Sequence, residues 1–160
     1  MSSIVEKIQE QLIKNNETIT CAESCTGGLI ASKITSISGS SSIFKGSVVT
    51  YCNEIKEQEL GVKKQTMIDH GAVSSETVTE MLQGVLKKFD ATYAIAVSGV
   101  AGPNGGTKAK PVGTVVIGVL SSFDELIVDT FYFEGTRNSI QNQAVEKSFE
   151  LIFQILRKNS

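Results

Sequence analysis

Apolar residues recur along this chain with two periods, and the period changes mark out the elements. Ile4, Val5, Ile8, Leu12 and Ile13 share one stripe of a 3.6-residue repeat and predict a helix over about 3–15. A short β-like run at about 18–22 is followed by a helical pattern over about 26–36. After the small-residue loop Gly39-Ser40-Ser41-Ser42, the stretch Phe44 to Cys52 reads as a strand, helped by Val48, Val49 and Tyr51. Short helices follow at about 53–60, opening at Asn53 and stopping at Gly61, and at 64–70, closed by Gly71. A longer helix starts at Ser75 and runs to about Phe89.

The second half reads as a buried strand from Tyr93 to Ser98, then a glycine-rich loop from Gly99 to Pro111. Val112–Leu120 and Leu126–Phe133 are joined by Ser121–Glu125 and predict a hairpin. Ile140, Ala144, Phe149, Leu151, Ile152 and Leu156 put a last helix over about 137–157. Early βα alternation capped by one hairpin implies an α/β fold. The expectation is a three-layer α/β/α sandwich around a mixed, mostly parallel sheet of about five strands, in one domain over 1–160.

Composition narrows the function classes. With 41% hydrophobic and 20% charged residues the chain is of globular type. No apolar run approaches the roughly 20 residues that cross a bilayer, so no membrane partner is expected. The amphipathic start, Val5 to Leu12, is unlike a signal peptide. Three cysteines, an odd number, favour a reducing, cytoplasmic setting over a disulfide framework. A net charge of −2 without a basic stripe points away from nucleic acid.

Three segments carry candidate chemistry. Ala22-Glu23-Ser24-Cys25-Thr26-Gly27-Gly28 lies at a strand-to-helix turn, where hydroxyls meet unpaired backbone N–H groups. Ser24 there is either a nucleophile with a built-in oxyanion site or, like Thr26, a helix cap. Cys25 competes as nucleophile, because helix-start thiols are often acidified. Lys56, in Tyr51-Cys52-Asn53-Glu54-Ile55-Lys56, is either a solvated charge or a general base reaching Ser24 from the next strand end. The loop Gly99 to Thr107 is either a mobile surface loop or an anion cradle, and matches neither the phosphate-loop nor the dinucleotide fingerprint.

Other patterns are weaker. Ser42-Ile43-Phe44-Lys45 has Ser-x-x-Lys spacing without the partner motifs that give it meaning. Cys21, Cys25, Cys52 and His70 lack zinc-site spacing, so no metal is expected. His70, the only histidine, sits before Gly71 at a helix end, where capping accounts for it.

Taken in order, Ala22 to Gly28, Tyr51 to Lys56, His70-Gly71-Ala72-Val73-Ser74, Gly99 to Thr107 and Pro111-Val112-Gly113-Thr114-Val115 resemble the CinA C-terminal domain family over about residues 3–155. Stand-alone members of that family are nicotinamide-nucleotide amidohydrolases. The resemblance implies hydrolysis of the carboxamide of nicotinamide mononucleotide to the acid and ammonia, in pyridine nucleotide salvage. It implies no cofactor or metal, a three-layer fold and a homo-oligomer. It maps the nucleophile onto Ser24 and its base onto Lys56. The substrate surroundings fall on Glu23, Cys25, Thr26, Gly27, Tyr51, Gly102, Gly105, Gly106, Thr107 and Arg137. Two positions depart from the family pattern. Gly135-Thr136-Arg137 stands where Gly-Asp-Arg is usual, and Gln141 stands where a second arginine is expected.

Overall fold

A computed structural model describes residues 2–160. Its elements are α1 (Ile4–Asn15), β1 (Ile19–Glu23), α2 (Leu29–Thr35), a 3-10 turn (Ser40–Ser42), β2 (Val48–Val49), α3 (Asn53–Leu60), α4 (Lys64–His70), α5 (Ser75–Lys88), β3 (Tyr93–Gly99), β4 (Thr114–Ser121), β5 (Leu126–Tyr132) and α6 (Arg137–Lys158). The five strands form one sheet in the order β2-β1-β3-β4-β5. β1 runs parallel to β2 and β3, while β4 is antiparallel to both β3 and β5. The expected mixed, mostly parallel sheet is therefore present, with β4 as its reversed strand.

Helices cover both faces because the inner strands are apolar on both. Ile19, Cys21, Tyr93, Ile95, Val97, Val115, Ile117 and Val119 pack with α1, α2 and α6. Ala22, Ala94, Ala96 and Val116 lie opposite, against Val78, Met81, Leu82 and Val85 of α5. The alternation of large and small residues along β3 explains the asymmetry. Alanines on the second face let α5 sit close to the sheet.

Three boundaries differ from the sequence reading. Only Val48 and Val49 of the 44–52 run form a strand. Ile43 instead lends its carbonyl to Ile19, and Thr20 binds the Gly46 carbonyl, so this stretch lies along β1 without a regular ladder. The helix expected from 26 starts at Leu29, because Gly27 and Gly28 adopt φ of 60° and 107°. Such angles break helical geometry and favour glycine. Asn53, expected as a cap, is the first residue of α3, and Cys52 occupies the cap position without a side-chain bond.

One close approach governs where α3 sits. A Cβ added at Gly84 in α5 would fall within 2.0 Å of the Leu60 carbonyl oxygen at the end of α3. Gly84→Ala must therefore push α3 outward. Overpacking of this kind costs roughly 1–3 kcal/mol, so the expected result is a lower melting temperature by calorimetry.

Candidate active site

Ser24 follows the last residue of β1, and Lys56 lies in the first turns of α3, which leaves β2. β1 and β2 are parallel neighbours, in register Ala22 to Val48 and Glu23 to Val49. Both loops therefore emerge at the carboxyl edge of the sheet, where sites collect in this architecture. The Lys56 Nζ lies 3.2 Å from Ser24 Oγ and 3.0 Å from the Thr50 carbonyl oxygen. Thr50 in turn donates its N–H to the Glu23 carbonyl at 2.7 Å, so one residue ties the lysine to the nucleophile turn.

Lys56 is 2% exposed and forms no ion pair among the described residues. Burial pushes its pKa below the ordinary lysine value, while the nearby Cys52 and Cys25 thiols pull the other way. The solvated-charge alternative is excluded by this placement. Cys25 is also buried, and desolvation raises its thiol to about 12. At neutral pH it is a protonated thiol packed into the core beneath α6. The Ser24 hydroxyl, by contrast, is in direct contact with the amine.

Glu23 does not face the pocket. It is fully buried, and its carboxylate accepts from the Ile30 N–H at 2.9 Å, the Ala31 N–H at 3.1 Å and the Thr26 hydroxyl at 2.6 Å. It thus caps α2 from the preceding strand, where the helix dipole favours negative charge. The capping function considered for Ser24 or Thr26 belongs to Glu23, and Thr26 serves only as its partner. Gly27 is likewise not a free donor, since its N–H binds the Ser24 carbonyl at 3.0 Å. The Cys25 and Thr26 amides donate to no backbone carbonyl among the described residues, which leaves them for an oxyanion.

A cavity of about 240 Å³ opens over Ser24 and is walled by Cys25, Tyr51, Gly102, Asn104, Gly105 and Arg137, among others. Arg137 donates Nη1 to the Gly102 carbonyl and Nη2 to the Tyr51 hydroxyl, both at 2.6 Å. Gln141, one turn on, donates Nε2 to the Cys25 carbonyl at 2.8 Å. The start of α6 therefore gathers the loops after β1, β2 and β3. Asn104 was not anticipated as a site residue, and Gln141 was singled out only as the place of a missing arginine, not for its bond to Cys25. The i, i+4 spacing of Gln141 from Arg137 was the available signal.

Gly106 and Thr107 lie outside the cavity wall. Thr107 bonds to Lys110 through both its N–H and its hydroxyl, closing the loop on itself. Lys110 reaches the His70 carbonyl at 2.8 Å and pins the far end of the loop to α4. His70 itself is exposed and 3.5 Å from Glu76, with no part in the Ser24 cluster. A larger cavity of about 610 Å³ lies between α3 and α4, rimmed by Glu54 and Glu57. Its lining also includes Lys64 and has no serine, threonine, cysteine or histidine. No group of three or more His, Cys, Asp or Glu placed to hold a metal occurs among the described residues. No helix is long and apolar enough to cross a membrane.

A hydroxyl against a buried amine at a parallel-sheet edge, under a glycine-rich loop, defines a three-layer α/β protein with a serine-lysine site. The chain belongs to the CinA C-terminal domain family, whose family model matches residues 1–156. It is 41% identical to the nicotinamide-nucleotide amidohydrolase PncC of Escherichia coli, over all of this chain and 97% of that protein. It is 52% identical to a CinA-like protein of Endomicrobium trichonymphae over 88% of this chain. The chain spans only about a third of the length of that relative and of similar CinA-like proteins. Among solved structures, competence damage-inducible protein A of Klebsiella pneumoniae superposes with a TM-score of 0.92 at 32% identity, covering 96% of this chain and 95% of that one.

The buried amine carries a stability signature. Its lowered pKa means that the unfolded chain binds more protons than the folded one between the folded value and about 10.4, so stability there rises with pH. Below that interval the burial cost is fully present. Lys56→Met is expected to raise the melting temperature at pH 7, and the gain should shrink as the pH climbs. Thermal melts at a series of pH values check both the sign and the trend.

Proposed function

We propose that this chain hydrolyses the carboxamide of nicotinamide mononucleotide, giving nicotinate mononucleotide and ammonia, as a step of pyridine nucleotide salvage. The observation that carries the reading is the 3.2 Å contact between Ser24 Oγ and the buried Lys56 Nζ. It is supported by similarity to an amidohydrolase along the full chain. An amide is a poor electrophile, so the serine must lose its proton as it attacks. At an ordinary pKa near 10.4, only about one lysine in a few thousand is neutral at pH 7. Burial enlarges that fraction for Lys56.

When neutral, Lys56 keeps one hydrogen on the Thr50 carbonyl and turns its lone pair to the serine proton. Ser24 Oγ bonds to the carboxamide carbon, and the carbonyl electrons move to oxygen. The Cys25 and Thr26 amides, which have no backbone carbonyl partner among the described residues, are the candidate donors to that oxyanion, each such donor being worth about 3 kcal/mol in a comparable setting. Lys56 returns its proton to the nitrogen as the C–N bond breaks, releasing ammonia and an acyl-serine. Water, deprotonated by the same amine, then frees the carboxylate and restores Ser24. Protein groups and water suffice for every step.

The substrate's positive pyridinium, bound beside Lys56, would lower the lysine pKa further by like-charge repulsion. Arg137 is the permanently charged fork at the cavity mouth, and both its contacts are neutral oxygens that a phosphate can displace. Gln141 cannot supply the charge of the arginine usual at that position. Its bond to the Cys25 carbonyl steadies the nucleophile turn instead.

The deciding experiment is ammonia release from nicotinamide mononucleotide by purified protein in the presence of a chelator. Turnover at an undiminished rate is expected; binding without ammonia release would make the chain a nucleotide-binding module. Ser24→Ala should abolish turnover with unchanged circular dichroism, whereas Cys25→Ala should retain it. Arg137→Ala should raise KM far more for the mononucleotide than for nicotinamide riboside. Equal losses for the two substrates would place Arg137 at the reacting end.

A further inference from the structure

The turn after β1 secures its backbone carbonyls one by one. The Ser24 carbonyl accepts from the Gly27 N–H and the Thr26 carbonyl from the Leu29 N–H, both at 3.0 Å. Between them, the Cys25 carbonyl has no backbone donor among the described residues. Its partner is the Gln141 side chain on α6, at 2.8 Å. The peptide after Cys25 is therefore the unit of this turn whose orientation is set from a distant element. It needs such a hold, because Gly27 and Gly28 follow at positive φ, where glycine moves freely.

A trans peptide is planar, so its C=O and N–H point in opposite directions. The Cys25 carbonyl and the Thr26 N–H share one such plane, and the Thr26 amide has no backbone acceptor among the described residues. α6 packs with Cys25 on one face of the sheet, while Leu60, at the end of α3, packs on the other. With its carbonyl drawn to α6, the plane directs the Thr26 N–H toward the side from which α3 brings Lys56 to Ser24. A carbonyl that accepts a hydrogen bond also polarises its own amide, and its N–H becomes a stronger donor.

We propose that Gln141 is the positioning residue of the oxyanion site. It holds and polarises the Cys25–Thr26 peptide so that the Thr26 N–H meets the negative charge that develops as Ser24 is acylated. Given the amide hydrolysis proposed for this site, on which this rests, the departure from arginine at Gln141 acquires a function: a neutral side chain keeps the donor. Gln141 touches no reacting atom. It acts through the peptide, on the transition state more than on substrate binding. Without it the plane is free to turn, and a turned plane would offer the oxyanion a carbonyl oxygen, which repels it.

Steady-state kinetics on three variants test the proposal. Gln141→Met keeps the side-chain length and removes the donor. Its kcat for nicotinamide mononucleotide should fall by about tenfold or more, toward the roughly hundredfold loss that follows deletion of an oxyanion donor, with KM nearly unchanged. Gln141→Glu sets a carboxylate against the carbonyl and should lose at least as much. Gln141→Lys retains a donor and should recover most of the rate. A loss confined to KM, or an equal loss in all three variants, would overturn the proposal.

A second substrate separates this outcome from the identity of the amide. The burst of p-nitrophenol from p-nitrophenyl acetate reports acylation of Ser24 without any nucleotide, and Gln141→Met should slow it by the same factor. A wild-type burst without ammonia release from the mononucleotide would remove the substrate reading, and the slower burst in Gln141→Met would still support the role of Gln141. Bursts of equal rate, or no acylation of the wild type by either compound, would overturn it. Circular dichroism and thermal melts on each variant distinguish loss of rate from loss of fold.

Discussion

A lysine amine held almost entirely out of water, with no carboxylate beside it, is costly to bury, and much of the site is arranged to keep it there. Lys56 has two polar neighbours, the Ser24 hydroxyl and the Thr50 carbonyl. Neither neutralises its charge, so the environment favours the free amine. A paired lysine would stay protonated and could accept nothing. The missing counter-ion is therefore what would let this amine act as the base in the proposed reaction. The close approach of α3 to α5 at Gly84 and the bond from Thr50 to the end of β1 hold the amine on target.

The nucleophile turn depends on a different buried charge. Glu23 sits one residue before Ser24, and its carboxylate satisfies the first free amides of α2. The strand end, the turn and the helix start are thereby locked together. The two glycines after Thr26 complete the turn with backbone angles closed to most residues. A carboxylate spent on a helix end and an amine left without a counter-ion lie within one short stretch of structure, in separate roles. This separation is physically necessary, since an ion pair between them would silence the lysine.

Most of the fold was legible in the amino-acid pattern. Long periodic segments such as α1, α5 and α6 appeared within a residue or two, because their apolar stripes repeat over several turns. β2 was overestimated because Phe44 to Cys52 is apolar enough to look like a strand, yet only two of its residues find a ladder partner. The pairing of Ser24 with Lys56 could be framed from their positions past consecutive parallel strands. Glu23 was placed in the substrate surroundings by the family resemblance, and nothing in the local sequence separated it from the pocket. Its actual partners, the Ile30 and Ala31 amides, are seven and eight residues further on, beyond the glycine turn.

Local sequence determined which segments become helix or strand, where glycines permit sharp turns, and that hydroxyl, amine and glycine-rich loop share one sheet edge. These are short-range properties set by side-chain period and backbone freedom. Tertiary structure alone decided that Lys56 turns inward while Glu54 and Glu57 beside it stay outside. It decided as well that the Cys25 thiol is buried with its pKa raised, that Arg137 reaches Gly102 and Tyr51, and that Gln141 grips the turn after β1. Burial and distance are set by which helices pack against which strands. The protonation state of an amine or a thiol follows from that packing, and no spacing along a chain encodes it.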